Sequence, residues 1–265
     1  MSLRKPTLCL ITAISLLVTL AVAQSPMPAA PAPKPPLGVE EVVKKLTERN
    51  RERQQALRQF QGTRVYRMEY RGFPADRKAE MTVKMSYSFP DKKEFSVISQ
   101  SGSKFIISHV FTKLLEGEQE AANDDNQRQT ALSDENYDFQ MEDFESAPSG
   151  GRYVLRVTPK AKSKFLYRGR IWVDANDFAV SQIEGEPAKN PSFWIKKTEI
   201  AHKYTKVDGF WLPVENHTES DIRLGGRATL TIEYKDYKIL AASPLNGIPR
   251  GSLDRAVAQV IEISP

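Results

Sequence analysis

Three histidines, His109, His202 and His217, are the residue type best suited to hold a transition metal or relay a proton. None stands in an H-x-H or H-x-x-x-H arrangement, the spacings that set two imidazoles on one face of a strand or helix. No G-x-S-x-G elbow exposes a serine nucleophile, and Ser101-Gly102-Ser103 reads as a turn. A glycine-rich phosphate loop is also absent. Cys9 is the only cysteine, and it lies in an apolar N-terminal run, so the rest of the chain has no thiol chemistry or disulfide. Carboxylates are plentiful, but they fall on polar positions of alternating segments or in the acidic run after Leu115. No pair is selected for glycoside chemistry. These residue types assign no catalytic group, no metal ligand and no cofactor. A hydrolase with an unrecognised site stays open and would need a polar cluster at a cavity mouth.

The elements that would position any site are clearer. From Thr63 onward apolar residues recur every second position. Tyr66, Met68 and Tyr70 alternate with Arg67, Glu69 and Arg71. Met81, Val83, Met85 and Tyr87 follow, then Phe95 and Val97 beyond a turn at Phe89-Pro90. Further strands are predicted over 136–144, 152–158, 165–174, 178–184, 196–206, 210–223 and 227–237. Tyr153, Leu155 and Val157 share one face, as do Leu230, Ile232 and Tyr234. One wet face and one apolar face is the pattern of antiparallel sheet, and short turns predict a large curved meander.

Two helices accompany it. Val39, Val42, Val43, Leu46, Leu57 and Phe60 recur at three- and four-residue steps, predicting a helix over 38–60. Phe105, Phe111, Leu114 and Leu115 predict a second after Lys104, with a polar end that has little to bury and the character of a lid. About ten strands make an apolar face larger than these helices fill. Its methionines suit irregular or exchangeable apolar contents. The same alternation is compatible with a filled core and with a ligand cavity.

Residues 1–23 read as a cleavable secretory leader. Arg4 and Lys5 precede an apolar run from Leu8, and Ala21-Val22-Ala23 sets the cut between Ala23 and Gln24. The run is short for a bilayer span of roughly 20 residues. Gln24 stands where a lipoprotein would carry its cysteine. Losing Arg4 and Lys5 takes the net charge from +5 to +3. Charges of both signs are interspersed, which excludes a nucleic-acid-binding pattern. Residues 24–37, with six prolines, read as an extended linker. The folded domain is expected over 38–243, and a tail over 244–265.

Lys164–Asp174 (KFLYRGRIWVD) and the hairpin that follows to Gly185 resemble the outer-membrane lipoprotein-sorting proteins and their LolA-like, LolB-like and RseB-like relatives. Asp208-Gly209-Phe210-Trp211-Leu212-Pro213 and Leu230–Tyr237 fit the same group. The resemblance implies a mainly β, α+β fold. It is a curved antiparallel sheet forming an incomplete β-barrel, with helices over an apolar concave face. In that group the cavity holds acyl chains of a lipoprotein or another lipid. The sorting carrier latches its lid with an arginine of an Arg-Pro pair, and here Phe89-Pro90 occupies that turn.

The expectation is therefore a periplasmic, non-enzymatic carrier or sensor of acyl chains in the cell envelope. Its apolar cavity is expected to be lined by Tyr66, Met68, Tyr70, Met81, Val83, Met85, Tyr87, Phe95, Val97, Phe105, Phe111, Leu114, Leu115, Tyr153, Leu155, Val157, Leu230, Ile232 and Tyr234. An envelope-stress regulatory protein that binds an inner- or outer-membrane protein is the alternative on the same fold.

Overall fold

Period-two patterning gives ten strands, and their pairing makes one sheet. The structure, a computed structural model, describes residues 36–121, 129–148, 150–190, 192–223 and 225–245. The leader, the cleavage site, most of the proline-rich linker and all but two residues of the tail lie outside the described residues. Helix α1 (Val39–Ala56) leads into β1 (Leu57–Arg71), β2 (Arg77–Ser88) and β3 (Lys92–Gly102). A segmented helix follows: α2 (Lys104–Ile106), a π-helical turn (Ile107–Phe111) and α3 (Thr112–Ala121). The remaining strands are β4 (Tyr137–Glu145), β5 (Arg152–Pro159), β6 (Tyr167–Asp174), β7 (Val180–Pro187), β8 (Ile195–Val207), β9 (Phe210–Ile222) and β10 (Arg227–Ala242). Among the described residues no helix is long and apolar enough to cross a membrane.

The sheet is antiparallel throughout, in the order β3-β2-β1-β10-β9-β8-β7-β6-β5-β4. Hairpins join sequential neighbours, as short turns require. The Asp208-Gly209 turn carries positive φ at both positions, the backbone a tight two-residue hairpin needs. The expected simple meander is corrected at one place. β1 pairs with β10, so the sheet is continuous through the first and last strands, and β3 and β4 become its two edges.

The helix expected over 38–60 ends at Ala56. Leu57 pairs with Ala242, and Phe60 lies between Ile239 of β10 and Tyr87 of β2. Its ring meets Tyr87 at 5.2 Å and Tyr237 at 6.0 Å. Ladders on both sides and two aromatic contacts outweigh the helical preference of a glutamine-rich segment.

The apolar residues divide into two main clusters on the inner face. α1 buries Val42, Val43 and Leu46 against Tyr153, Leu155, Val157, Ile171 and Ile183. The segmented helix buries Ile106 and Phe111 against Tyr66, Met81, Val83, Ile232 and Tyr234.

Candidate ligand-binding site

Between these clusters the inner face keeps accessible surface, and strand register says which residues floor it. Directly opposed residues share a face. One row therefore runs Val157, Gly169, Gly185, Ile200, Thr218, Leu230, Met68, Ala79 across eight strands. Its ends, Val157 and Ala79, are buried, and the six residues between keep accessible surface. The next row runs Leu155, Ile171, Ile183, His202, Asn216, Ile232, Tyr66, Met81. There only His202 and Asn216 stay half-exposed. The open strip thus coincides in both rows.

Gly169 and Gly185 contribute to this opening. They face each other across β6 and β7, and a Cβ on either would stand 2.1 Å from the carbonyl of Glu184 or Arg168. No larger residue fits, so the row loses two side chains where the floor begins. Ile200 and Tyr204 belong to the margin of one cluster, while Met68, Leu230 and Tyr237 belong to the margin of the other.

Crowding around this strip shifts its titratable groups. Burial raises the Tyr204 phenol to about 12 and also lifts Tyr167 well above its ordinary value. Burial also drops His202 to about 4, leaving it neutral at pH 7. Yet all three retain accessible area. A side chain surrounded by protein that still has open surface lines a hollow. Among the described residues the Tyr167 hydroxyl and Asn216 Oδ1 have no hydrogen-bond partner, while Asn216 Nδ2 donates to the Tyr234 hydroxyl at 2.7 Å. The floor is apolar with a few polar atoms, the usual makeup of a ligand pocket.

The segmented helix is tied down at the hollow's edge. Arg64 on β1 is only 5 % exposed, and its Nη1 donates to Glu118 of α3. The Tyr66 hydroxyl donates to the same carboxylate at 3.1 Å. Arg64 also stands over the rings of Tyr234 at 5.0 Å and Phe95 at 5.3 Å. Burial opposes the guanidinium's charge, but Glu118 outweighs it and holds Arg64 protonated. Lys93 faces the same way as Tyr87, its partner on β2. Burial lowers its pKa, with Glu118 pulling up and Arg64 pulling down.

The structure distributes the sequence-predicted site residues unevenly. Tyr66, Met81, Val83, Met85, Tyr87, Phe111, Ile232 and Tyr234 are buried at the segmented helix's end of the sheet; Tyr153, Leu155 and Val157 are buried at the α1 end. Met68 and Leu230 lie on the open floor, with Phe95, Leu114 and Leu115 at its margin. Tyr70 sits at the strand end, its hydroxyl donating to the Phe73 carbonyl. Val97 and Phe105 are exposed. Arg64, Lys93, Ile200 and Thr218 were not singled out by the sequence, and His202 was weighed there only as a metal ligand or proton relay. The available clue was phase: each shares the parity of apolar neighbours on its own strand, so a polar group there stands inside.

Other concavities lie elsewhere among the described residues. A groove of about 740 Å3 on the outer face is lined by Arg168, Arg170, Glu184, Glu186, Lys197 and Glu199 among others, which form ion pairs such as Lys197–Glu199 and Arg168–Glu186. Such solvated ladders are ordinary on an outer face. A slot of about 530 Å3 between α1 and the β4 edge has Val39, Val43, Tyr137 and Phe139 as apolar walls. Among the described residues no group of His, Cys, Asp or Glu is arranged to hold a metal ion.

No protein-family model matches the chain, and no curated protein matches it. Solved structures similar to it include an outer membrane lipoprotein-sorting protein domain from Vibrio parahaemolyticus, at 11 % identity and TM-score 0.39, covering 83 % of this chain and 99 % of that one. A DUF1329 family protein from Desulfovibrio piger is 12 % identical with TM-score 0.38, covering 80 % and 95 %. A LolA superfamily protein from Nitrosomonas europaea is 13 % identical with TM-score 0.36, covering 76 % and 94 %. These structures are likenesses of a curved sheet.

Proposed function

We propose that this chain is a non-enzymatic envelope protein that holds an acyl chain in the hollow between α1 and the segmented helix. The observation that carries this reading is the row Ile200, Thr218, Leu230, Met68, inward-facing and half-exposed between two separately packed clusters. An apolar strip left open on a concave face gains free energy when an apolar chain displaces its water, about 25 cal/mol for each Å2 covered. The segmented helix is the movable wall, and the Arg64–Glu118 pair fastens it where the sorting carrier uses the arginine of its Arg-Pro turn. The expected secretory leader places the protein in the periplasm, where an acyl chain of a lipoprotein or another lipid is its cargo.

Native mass spectrometry of protein purified from its own envelope tests this reading. A co-purifying lipid in the intact protein, absent from a Thr218→Trp variant that fills the floor, is the expected result. An empty wild-type protein that also fails to bind a fluorescent fatty acid saturably overturns it.

A further inference from the structure

One end of the sheet gathers exposed aromatic side chains. Phe73 in the β1–β2 loop is 79 % exposed, Phe193 and Trp194 in the β7–β8 loop 74 % and 55 %, and Phe105 at the start of α2 54 %. Hydrogen bonds join these loops into one rim. Tyr70 Oη donates to the carbonyls of Phe73 and Gly225, at 2.6 and 3.1 Å. Arg223 Nε donates to the Phe193 carbonyl at 2.6 Å, and its backbone N–H donates to the Trp194 carbonyl at 2.8 Å. Ser103 N–H donates to the Lys78 carbonyl at 2.8 Å, bringing the start of α2 to the same place.

The charge at this rim is predominantly basic. Arg77, Lys78, Lys104, Lys189, Lys196 and Arg223 are exposed there. Against them stand Asp76, whose carboxylate already accepts from the Gly72 N–H at 2.9 Å, Glu69, which faces Lys78 across β1 and β2, and Asp221, already paired with Arg227. Arg77 lies over the Phe105 ring at 5.6 Å and Arg223 over Phe193 at 5.0 Å. At the opposite end the turns carry Asp91, Asp174, Asp177 and Asp208. Aromatic tips in water are costly, and contiguous exposed apolar surface marks an interaction site. Rings flanked by Lys and Arg match a bilayer surface, where rings settle at head-group depth and cations meet lipid phosphates.

We propose that this rim docks the protein on an anionic lipid surface, with Phe73, Phe193 and Trp194 entering the head-group layer and the surrounding cations holding it there. The segmented helix begins on this rim, so docking sets the start of the movable wall against the membrane. Binding of a lipid in the hollow is a separate matter, and neither proposal requires the other.

Trp194 reports the docking directly. Trp172 and Trp211 sit toward the other end, bonded to Glu145 and Asp177. Vesicles of phosphatidylglycerol with brominated acyl chains should quench the full-length protein's tryptophan fluorescence, and Trp194→Phe should abolish that quenching. Lys78→Glu/Lys104→Glu should weaken vesicle partitioning about tenfold at low salt. Phe193→Ser/Trp194→Ser should lose sedimentation with these vesicles while its melting curve stays unchanged. Absence of quenching, or quenching that persists in Trp194→Phe, overturns the proposal. Equal quenching by brominated phosphatidylcholine overturns the anionic-surface assignment.

Discussion

The two helices lie on the same sheet and are attached to it differently. α1 is one continuous helix whose Val42 and Leu46 are fully buried, and Arg53 near its end donates to the carbonyls of Asp177 and Phe178 at 2.9 and 2.8 Å. It then runs without a loop into β1. The segmented helix is interrupted by a π turn, buries Ile106 and Phe111, and leaves Leu114 and Leu115 half-exposed. Its polar attachment to β1 runs through a single carboxylate, Glu118, which takes Arg64 Nη1 and the Tyr66 hydroxyl beside a Tyr66–Phe111 ring contact at 5.9 Å. Helices so interrupted recur at functional sites, and an element with few buried contacts opens at low free energy. On the proposed reading, the difference separates a core element from a lid.

Truncation at matched positions tests that contrast most strongly. Leu46→Ala should cost about 3 kcal/mol of global stability, and Leu114→Ala about 1 kcal/mol; denaturant melts measure both. Similar losses at the two sites would erase the distinction. Glu118→Ala should come next, because it strands the Arg64 charge under the helix. Local opening of 104–121 should become easier by roughly 2 kcal/mol, after allowance for Glu118's partial exposure. Hydrogen exchange would show it, with α1 unchanged.

His202 tests the ground between the helices. Its folded pKa of about 4 lies below the ordinary 6.5. As pH falls the unfolded chain takes this proton first. Stability complete above pH 6.5 therefore drains away between 6.5 and about 4. The loss is roughly 2 kcal/mol, discounted for partial exposure. His202→Gln should flatten that limb relative to wild type, and an identical slope would place His202 outside the hollow. The smallest effect is expected from Leu114→Asp. An exposed carboxylate at the lid's margin should weaken fatty-acid binding severalfold, about 1 kcal/mol, with the domain still folded. Loss of the folded state would make the segmented helix core.

Strand positions were legible because alternation is a local property, and most predicted segments match the observed strands to within a few residues. The end of α1 was not, since Leu57 and Phe60 keep helical spacing while partners on β2 and β10 decide their state. The β1–β10 closure left no local trace: Tyr66 and Ile232 meet only through tertiary pairing. The site was partly legible. Met68 and Leu230 were read correctly as inward, but most of the expected lining lies beneath helices, because apolar parity reports which face a residue takes and is silent on what covers it. Arg64 held the unread clue, a charge in phase with Tyr66 and Met68 whose partner lies 54 positions away on another element.

Hydrogen exchange on lipid-free and lipid-loaded protein bears most directly on the central claim. Lipid should slow exchange in 104–121 and along the floor strands β8, β9 and β10, while α1 exchanges at one rate in both states. Equal protection gained by α1 and the segmented helix, or no gain in either, would contradict a hollow closed by a movable lid.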